Sequence, residues 1–520
     1  MSTPSQDFDV VILGGSLAGA SSALLLLRQR PGLRVAVVEK SERFGRRVGE
    51  ATVEISGYFL SRVLGLTRYL NETQLNKQGM RFWFANALTQ SLDDSSELGG
   101  KYLARIPAWQ VDRSTLDEEV LGQAQAAGAV VLRPAKARKV HLNAGGRQTI
   151  ELETGEGPRR ELTARWVIDA TGFTCQLARQ EGWFRRTEAH PTTAVWARWK
   201  GVKDWDGREL ADRFPEWSAA CHGVRATATN HLMGDGWWAW CIPLKGGDYS
   251  VGVVFDQRLV RWPAGPAPLA HRLKEFLCSH PTGRVLLEDA EPVDGDVNWR
   301  ANLAYRSEVM ATDGAVLVGD AAGFIDPFYS PGMDWLSFTV TRGVDLVLAG
   351  LGREPVTDLV ARHNRDFQRS YARWFEAIYQ NKYAWLGDYE LVRIGFRLDL
   401  GLYYLGVVSQ PLMRGTQALR EPVFSLPTSE VPYQLIRAYN RRLTAMALER
   451  RRRGTFGRAN TGQRMLLDGF LPERRSSGRL ASALLGWAWL ELTEGWRTWF
   501  RPAEPESVAR AGRRELRAES

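Results

Sequence analysis

A chain of 520 residues, 44% of them hydrophobic, can bury a large core and exceeds one ordinary domain, so two or three closely packed parts are expected. Its four cysteines, Cys175, Cys221, Cys241 and Cys278, are widely spaced and form no C-x-x-C pair, which argues against a disulfide framework or a metal centre. Much of the net charge of +9 lies late, in Arg441-Arg442 and residues 450–453, where no aromatic platform interleaves; a solvated helix face is favoured over a nucleic-acid surface.

No basic-then-apolar leader precedes Asp9, and no uncharged apolar run reaches about 18 residues, so a cytoplasmic, non-spanning protein is the expectation. Residues 7–13 read as a strand, Gly14-Gly-Ser-Leu-Ala-Gly19 as a turn, residues 20–27 as an apolar helix and residues 33–38 as a second strand ending at Glu39. This strand, glycine loop, helix, strand, acid order is what a dinucleotide site requires, with helix amides toward a pyrophosphate and the acid toward a ribose. Candidate contacts are Gly14, Gly15, Ser16, Ala18, Gly19, Glu39 and Lys40. Ser16 stands where the fingerprint has its middle glycine, so its hydroxyl must bond the phosphate rather than crowd it.

Residues 46–53 follow, either as a strap over a bound ring with Glu50, Ala51 or Thr52 in contact, or as an ordinary connecting loop. Lys77 sits just before an aromatic strand at residues 80–84, and by its own context is a solvated charge. Residues 106–120 read as a strand into a helix capped by Asp112 or Ser114, with Gln110 and Arg113 able to point back toward a cofactor. Residues 166–172 form another buried strand ending in small residues. In residues 236–243 a period of two places Trp238, Trp240 and Ile242 on one face, and Pro243 ends the pairing. A hairpin across residues 245–248 leads to the next strand, giving the aromatic wall of an inserted substrate domain or a Trp-rich core strand.

Residues 316–318 are an apolar strand that stops at Gly319-Asp320, after which small residues suggest a helix start. The Asp320 carboxylate can accept from sugar hydroxyls, and the turn-rich stretch from Phe324 through Pro327 and Ser330 to Gly332 and Met333 can wall an isoalloxazine ring. No second glycine fingerprint occurs, so the chain is expected to bind one dinucleotide, FAD in an extended slot. Helices are expected over residues 342–351, 358–383 and 387–408, the last ended by Pro411, and over the basic residues 433–453. Residues 480–500 run apolar for only about 11 residues before Glu491, too short to cross a bilayer; the segment lies on a membrane surface or, as preferred, docks on the body. A charged, frayed tail is expected after Pro502.

Together Val48-Gly-Glu-Ala-Thr-Val53, Trp238-x-Trp240-x-Ile242-Pro243 and Phe324-x-x-Pro327-x-x-Ser330-x-Gly332 resemble the flavin strap, W-x-W-x-I-P and F-x-x-P-x-x-S-x-G forms of the flavin-dependent halogenases, in the FAD monooxygenase superfamily. The resemblance is to the tryptophan-halogenase type and covers roughly residues 7–345. It implies an α/β fold: a Rossmann-like FAD-binding domain of the GR2/PHBH type (1–190 and 285–345), a β-rich substrate-domain insertion (191–284) and a C-terminal helical region (346–520). Lys77, followed by Met80-Arg81-Phe82, falls where the family's catalytic lysine precedes an aromatic strand.

The resemblance further implies reduced FAD from a separate flavin reductase, a halide ion near the S-x-G turn, and hypohalous acid that reaches Lys77 through an interior tunnel. Electrophilic halogen would pass there to a small electron-rich aromatic or carrier-bound substrate, with Trp238, Trp240, Ile242, Phe324, Tyr329 and Ser330 lining the substrate side and tunnel. Two departures stand out. Pro331 has no N–H for the halide, a loss of about 1.5 to 3 kcal/mol unless replaced. Tyr329 occupies the position where tryptophan halogenases carry an indole-contacting glutamate, so a phenol, pyrrole, or carrier-bound aromatic or polyene is expected instead of free tryptophan. The alternatives are a non-halogenating FAD-dependent monooxygenase or hydroxylase, including one acting on a protein side chain, a dehydrogenase of the same fold, or a surface-binding flavoprotein without turnover.

Overall fold

A computed structural model describes residues 6–154, 160–221, 223–352, 355–468 and 474–500. The tail after Pro502 lies outside the described residues. At its centre is the strand Gln6–Leu13, whose Val10, Val11 and Ile12 are fully buried. Val35–Val38 pairs with it in parallel on one side, followed by Val130–Leu132; Arg160–Asp169 and then Ala315–Leu317 extend the parallel set on the other. Leu17–Gln29 packs between Arg113–Ala126 and Pro331–Leu351, so the glycine loop and the long third helix meet over one sheet edge.

A second sheet lies beside the first. Thr192–Lys200, Tyr249–Asp256, Trp237–Pro243 and Thr229–Gly234 run antiparallel in that order, and the pairing of Pro243 with Tyr249 closes the expected hairpin. The sheet is wider than residues 191–284: Thr229–Gly234 pairs in parallel with Met80–Phe84, which continues into Ser96–Gly100 and Arg464–Leu467. A strand therefore sits inside the region read as helical, because Ser96–Gly100 would otherwise be left as an open edge. The two faces of Trp237–Pro243 enter different cores. Trp238, Trp240 and Ile242 join the main one, while Ala239 and Cys241 pack with Trp83, Trp199, Trp205 and Trp217.

After Ala315–Leu317 the expected helix does not start at once. Gly319 takes φ +57°, Gly319–Ala321 makes a 3-10 turn, Gly323–Phe324 pairs with Tyr305–Ser307, and the helix begins at Pro331. The last third is built from Thr357–Trp374, Tyr389–Tyr403, Glu430–Arg452 and Arg474–Thr493, with single π-turns at Phe375–Tyr379 and Tyr404–Val408. Pro411 does not end the helix as expected; it lies in Ser409–Arg414, which continues directly from the π-turn at Tyr404–Val408, the kind of local irregularity that goes with a proline inside a helix. Arg474–Thr493 docks through buried Ala483 and through Leu480, Leu484, Trp487 and Leu490, and exposes Leu485, Trp489 and Leu492 on the other face. Among the described residues no helix is long and apolar enough to cross a membrane.

Candidate functional site

The glycine loop is shaped by close approach. Gly14 adopts φ +93°, where an added Cβ would lie 2.6 Å from the Ala170 carbonyl oxygen, and a Cβ on Gly19 would lie 1.9 Å from that of Gly14. The Gly15 N–H donates to Glu39 Oε2 over 2.8 Å and the Ser41 N–H to Oε1 over 2.9 Å, so the acid ties the second strand to the loop. Ser16 precedes the helix without a capping bond from its side chain, and with Ala18 it lines a large cavity at the loop. Lys40, expected to contact the cofactor, is exposed and, like Glu39, lines no part of this cavity; the strand has ended at Val38, and while Glu39 is buried against the loop its successor reaches the surface.

Across this cavity stands the strap. The Val111 N–H donates to the Glu50 carbonyl (2.7 Å), the Thr52 N–H to that of Trp109 (2.9 Å), and the Lys77 N–H to that of Ala108 (2.8 Å), so residues 50–52, 108–111 and 75–77 form a narrow ladder rather than a free loop. Glu50 and Ala51 line the fingerprint cavity. Burial raises the Glu50 carboxyl to about 7, against the pull of Arg198, whose Nη2 lies 2.6 Å away. Arg113 also lines this cavity, held by Asp117 over 2.8 and 3.1 Å. Thr52, expected at the cofactor ring, faces a second cavity, and its hydroxyl is engaged by the Trp109 backbone.

Asp320 lines the fingerprint cavity with Gly332, Met333 and Pro327, and its side chain takes no hydrogen bond from any described residue. Loss of solvent lifts its carboxyl to about 6. Beside it, Gly319 is anchored through its N–H to Thr339 Oγ1 at 2.8 Å. A carboxyl without a partner, a serine hydroxyl not used for capping and a loop only glycine can make all fit a dinucleotide laid along this cavity.

Tyr329 and Ser330 both take left-handed backbone angles, φ +67° and +56°, a costly arrangement held by Tyr329 Oη donating to Asp399 Oδ2 (3.0 Å) and the Ser330 N–H donating to the Pro327 carbonyl (2.9 Å). Side chains alternate here. Ser330 and Gly332 line the fingerprint cavity, whereas Tyr329 and Pro331 line the second. With Ser330 engaged and Pro331 lacking an N–H, the amides of Gly332 and Met333 open the helix without helical acceptors. Trp238, Trp240, Ile242 and Phe324, expected toward the substrate, line the fingerprint cavity; the sheet bearing the tryptophans faces the first domain, so their period-two face meets the nucleotide slot.

The second cavity holds Lys77. Its side chain is 3% exposed, and Nζ donates to the Thr52 carbonyl over 2.8 Å. Burial lowers the amine to about 8, with Glu54 and Asp334 drawing it back up. Asp334 accepts from the Ser56 N–H (2.9 Å) and Tyr403 Oη (3.0 Å), and burial pushes it to about 7. Tyr404 donates to Glu54, and Phe396 and Asp399 complete the wall. Asp334, Glu54, Tyr403 and Tyr404 were not anticipated: the tyrosines read as one more apolar helix face, and Asp334 as a residue just past the turn. The two cavities share a wall made of the strap and the Tyr329–Gly332 turn.

A family model for the FAD binding domain matches residues 7–213. The flavin-dependent halogenase chlA of Dictyostelium discoideum is 29% identical over 367 residues, covering 64% of this chain and 58% of that protein, so the match spans less than two thirds of that relative. The sulochrin halogenase gedL of Aspergillus terreus is 27% identical over 398 residues, covering 72% of this chain and 67% of that one. The halogenase PltM, solved in complex with phloroglucinol and FAD, superposes with a TM-score of 0.72 over 92% of this chain and 96% of its own at 19% identity, a likeness of fold.

Proposed function

We propose that this chain, which carries an FAD-binding domain and is similar to flavin-dependent halogenases, halogenates a small electron-rich aromatic compound, a phenol first of all, held against Lys77. One observation carries this reading: a buried amine stands on the far side of a wall that it shares with the FAD cavity. The glycine loop and Ser16 would take the pyrophosphate, Glu39 the adenosine ribose, Asp320 the ribitol, and Glu50, Pro327, Gly332 and Met333 would border the ring. When bound and reduced, FAD supplies the activation of dioxygen that turns halide into hypohalous acid. Reducing equivalents would come from a separate flavin reductase, as the resemblance implies; a single glycine fingerprint, with none left for a nicotinamide, supports this.

Lys77 is poised for delivery. With its amine near 8, both the ammonium, which donates a hydrogen bond to hypohalous acid, and the free amine, which forms a haloamine, are present around neutral pH. The strap and the turn keep the aromatic compound out of the cavity where oxygen is activated, which suppresses direct hydroxylation. Tyr329, Phe396 and Tyr403 make an aromatic-lined chamber, suited to a flat ring. Phloroglucinol, itself a phenol, is bound by the similarly folded PltM, which supports the same substrate class here.

The test is incubation of the protein with FAD, a flavin reductase, NADH, oxygen and chloride or bromide over a panel of phenols, pyrroles and indoles, read by product mass. Halide-dependent products carrying halogen are expected. Hydroxylated products forming equally with and without halide would overturn the reading in favour of the hydroxylase alternative, which the missing N–H of Pro331 favours. Lys77→Ala should abolish halogenation while reduced FAD is still oxidised.

A further inference from the structure

We propose that Asp334 is the base that takes the ring proton in the halogenation assigned to Lys77, an inference that rests on that assignment. Four carboxylates border the lysine cavity: Glu54, Asp334, Asp399 and Asp468, the last of them exposed to solvent at the cavity's rim. Asp399 is already neutralised, its Oδ2 lying 2.6 Å from Lys382 Nζ while Tyr439 and Tyr329 donate to it. Glu54 is only half-buried and holds the Tyr404 hydroxyl. Asp334 is 1% exposed and has no cation within ion-pair distance among the described residues; it receives one backbone N–H and one phenol, which leaves each oxygen a lone pair.

One short segment brings the amine and the carboxylate together. The Thr52 carbonyl holds Lys77 and the Ser56 N–H holds Asp334, four residues apart across the junction of strap and helix. The titratable groups that face Asp334 are Lys77, Glu54, Tyr403 and Tyr379. Of these only Lys77 is a cation, and it is needed for the halogen.

The step balances as follows. Hypohalous acid is hydrogen-bonded by the Lys77 ammonium; a ring carbon attacks the halogen, the carbon–halogen bond forms and the oxygen–halogen bond breaks. The oxygen leaves as water with the proton of Lys77. The same carbon then loses its hydrogen to the Asp334 carboxylate, and the C–H electron pair restores the aromatic ring. The ring is oxidised by the two electrons that reduce the halogen. Asp334 is left protonated and Lys77 neutral, and the proton passes between them to reset the pair. With the carboxyl near 7 and the amine near 8, that return is downhill by about tenfold.

The experiment compares the wild type with Asp334→Asn under the full assay, using a phenol and its ring-deuterated form. Asn keeps an acceptor for the Ser56 N–H, so FAD binding and reduced-FAD oxidation are expected to persist. Turnover to halogenated product is expected to fall about 100-fold or more, with a primary isotope effect emerging as proton loss becomes rate-limiting. Wild-type halogenation with an undiminished rate in Asp334→Asn, or a fall without an isotope effect, overturns the inference alone; a wild type that never halogenates overturns the Lys77 reaction as well. Tyr403→Phe is the second variant: removing a hydrogen bond that lowers the carboxyl should move the acid limb of the kcat profile upward, and an unmoved limb counts against Asp334.

Discussion

Lys77 Nζ donates to the carbonyl oxygen of Thr52 over 2.8 Å, so an amine that precedes an aromatic strand is closed against the segment that walls the FAD cavity. That bond satisfies one of three ammonium protons; burial alone lowers the amine, from 10.5 to about 8, against the pull of Glu54 and Asp334.

The position has a consequence for stability. The folded chain disfavours the charged amine, so the cost is full below pH 8 and is relieved as pH rises from 8 to 10.5, where the unfolded chain still holds a proton that the folded one has released. The difference is worth about 3 kcal/mol. Lys77→Met should therefore be more stable than the wild type at pH 7, by up to about that amount, and its lead should shrink toward pH 10. Urea unfolding of both proteins at the two pH values checks this, and a lead that stays constant would contradict it.

Gly19→Ala should abolish FAD retention. The new methyl group would sit 1.9 Å from the Gly14 carbonyl oxygen, and only backbone movement could relieve the clash. The expected loss exceeds about 3 kcal/mol, and the variant should purify without flavin absorbance at any FAD concentration that saturates the wild type.

The strap is fastened by a buried ion pair. Arg198 and Glu50 are 5% and 4% exposed, and Arg198 also bonds Asp112 over 3.0 Å. Arg198→Met leaves Glu50 buried without its cation, a loss of about 3 to 5 kcal/mol. Thermal unfolding should show the drop, and FAD titration should show weaker binding, since Glu50 borders that cavity. The Glu50→Gln, Arg198→Met double variant should recover much of the stability.

Asp399→Ala tests the device that holds the left-handed turn. Lys382 and the hydroxyls of Tyr329 and Tyr439 would all lose their acceptor in a buried setting, again about 3 to 5 kcal/mol by chemical denaturation. Pairing it with Lys382→Met should restore most of the loss, because no charge is then left uncompensated.

The chain by itself determined the features whose partners are close in sequence. The fingerprint from Gln6–Leu13 through the glycine loop to Glu39, the Asp112 cap, the Trp238, Trp240 and Ile242 face and the hairpin at Pro243 are all local, and periodicity and turn chemistry suffice to read them. Only the tertiary structure decided the side on which Lys40 and the tryptophan face lie, that Ser96–Gly100 acquires a partner from Arg464–Leu467, and that Asp334 meets Tyr403. The environment of Lys77 belongs to this second group. Its acceptor is 25 residues away and its roof comes from Tyr389–Tyr403, and burial of an amine depends on contacts between distant segments that no local pattern encodes.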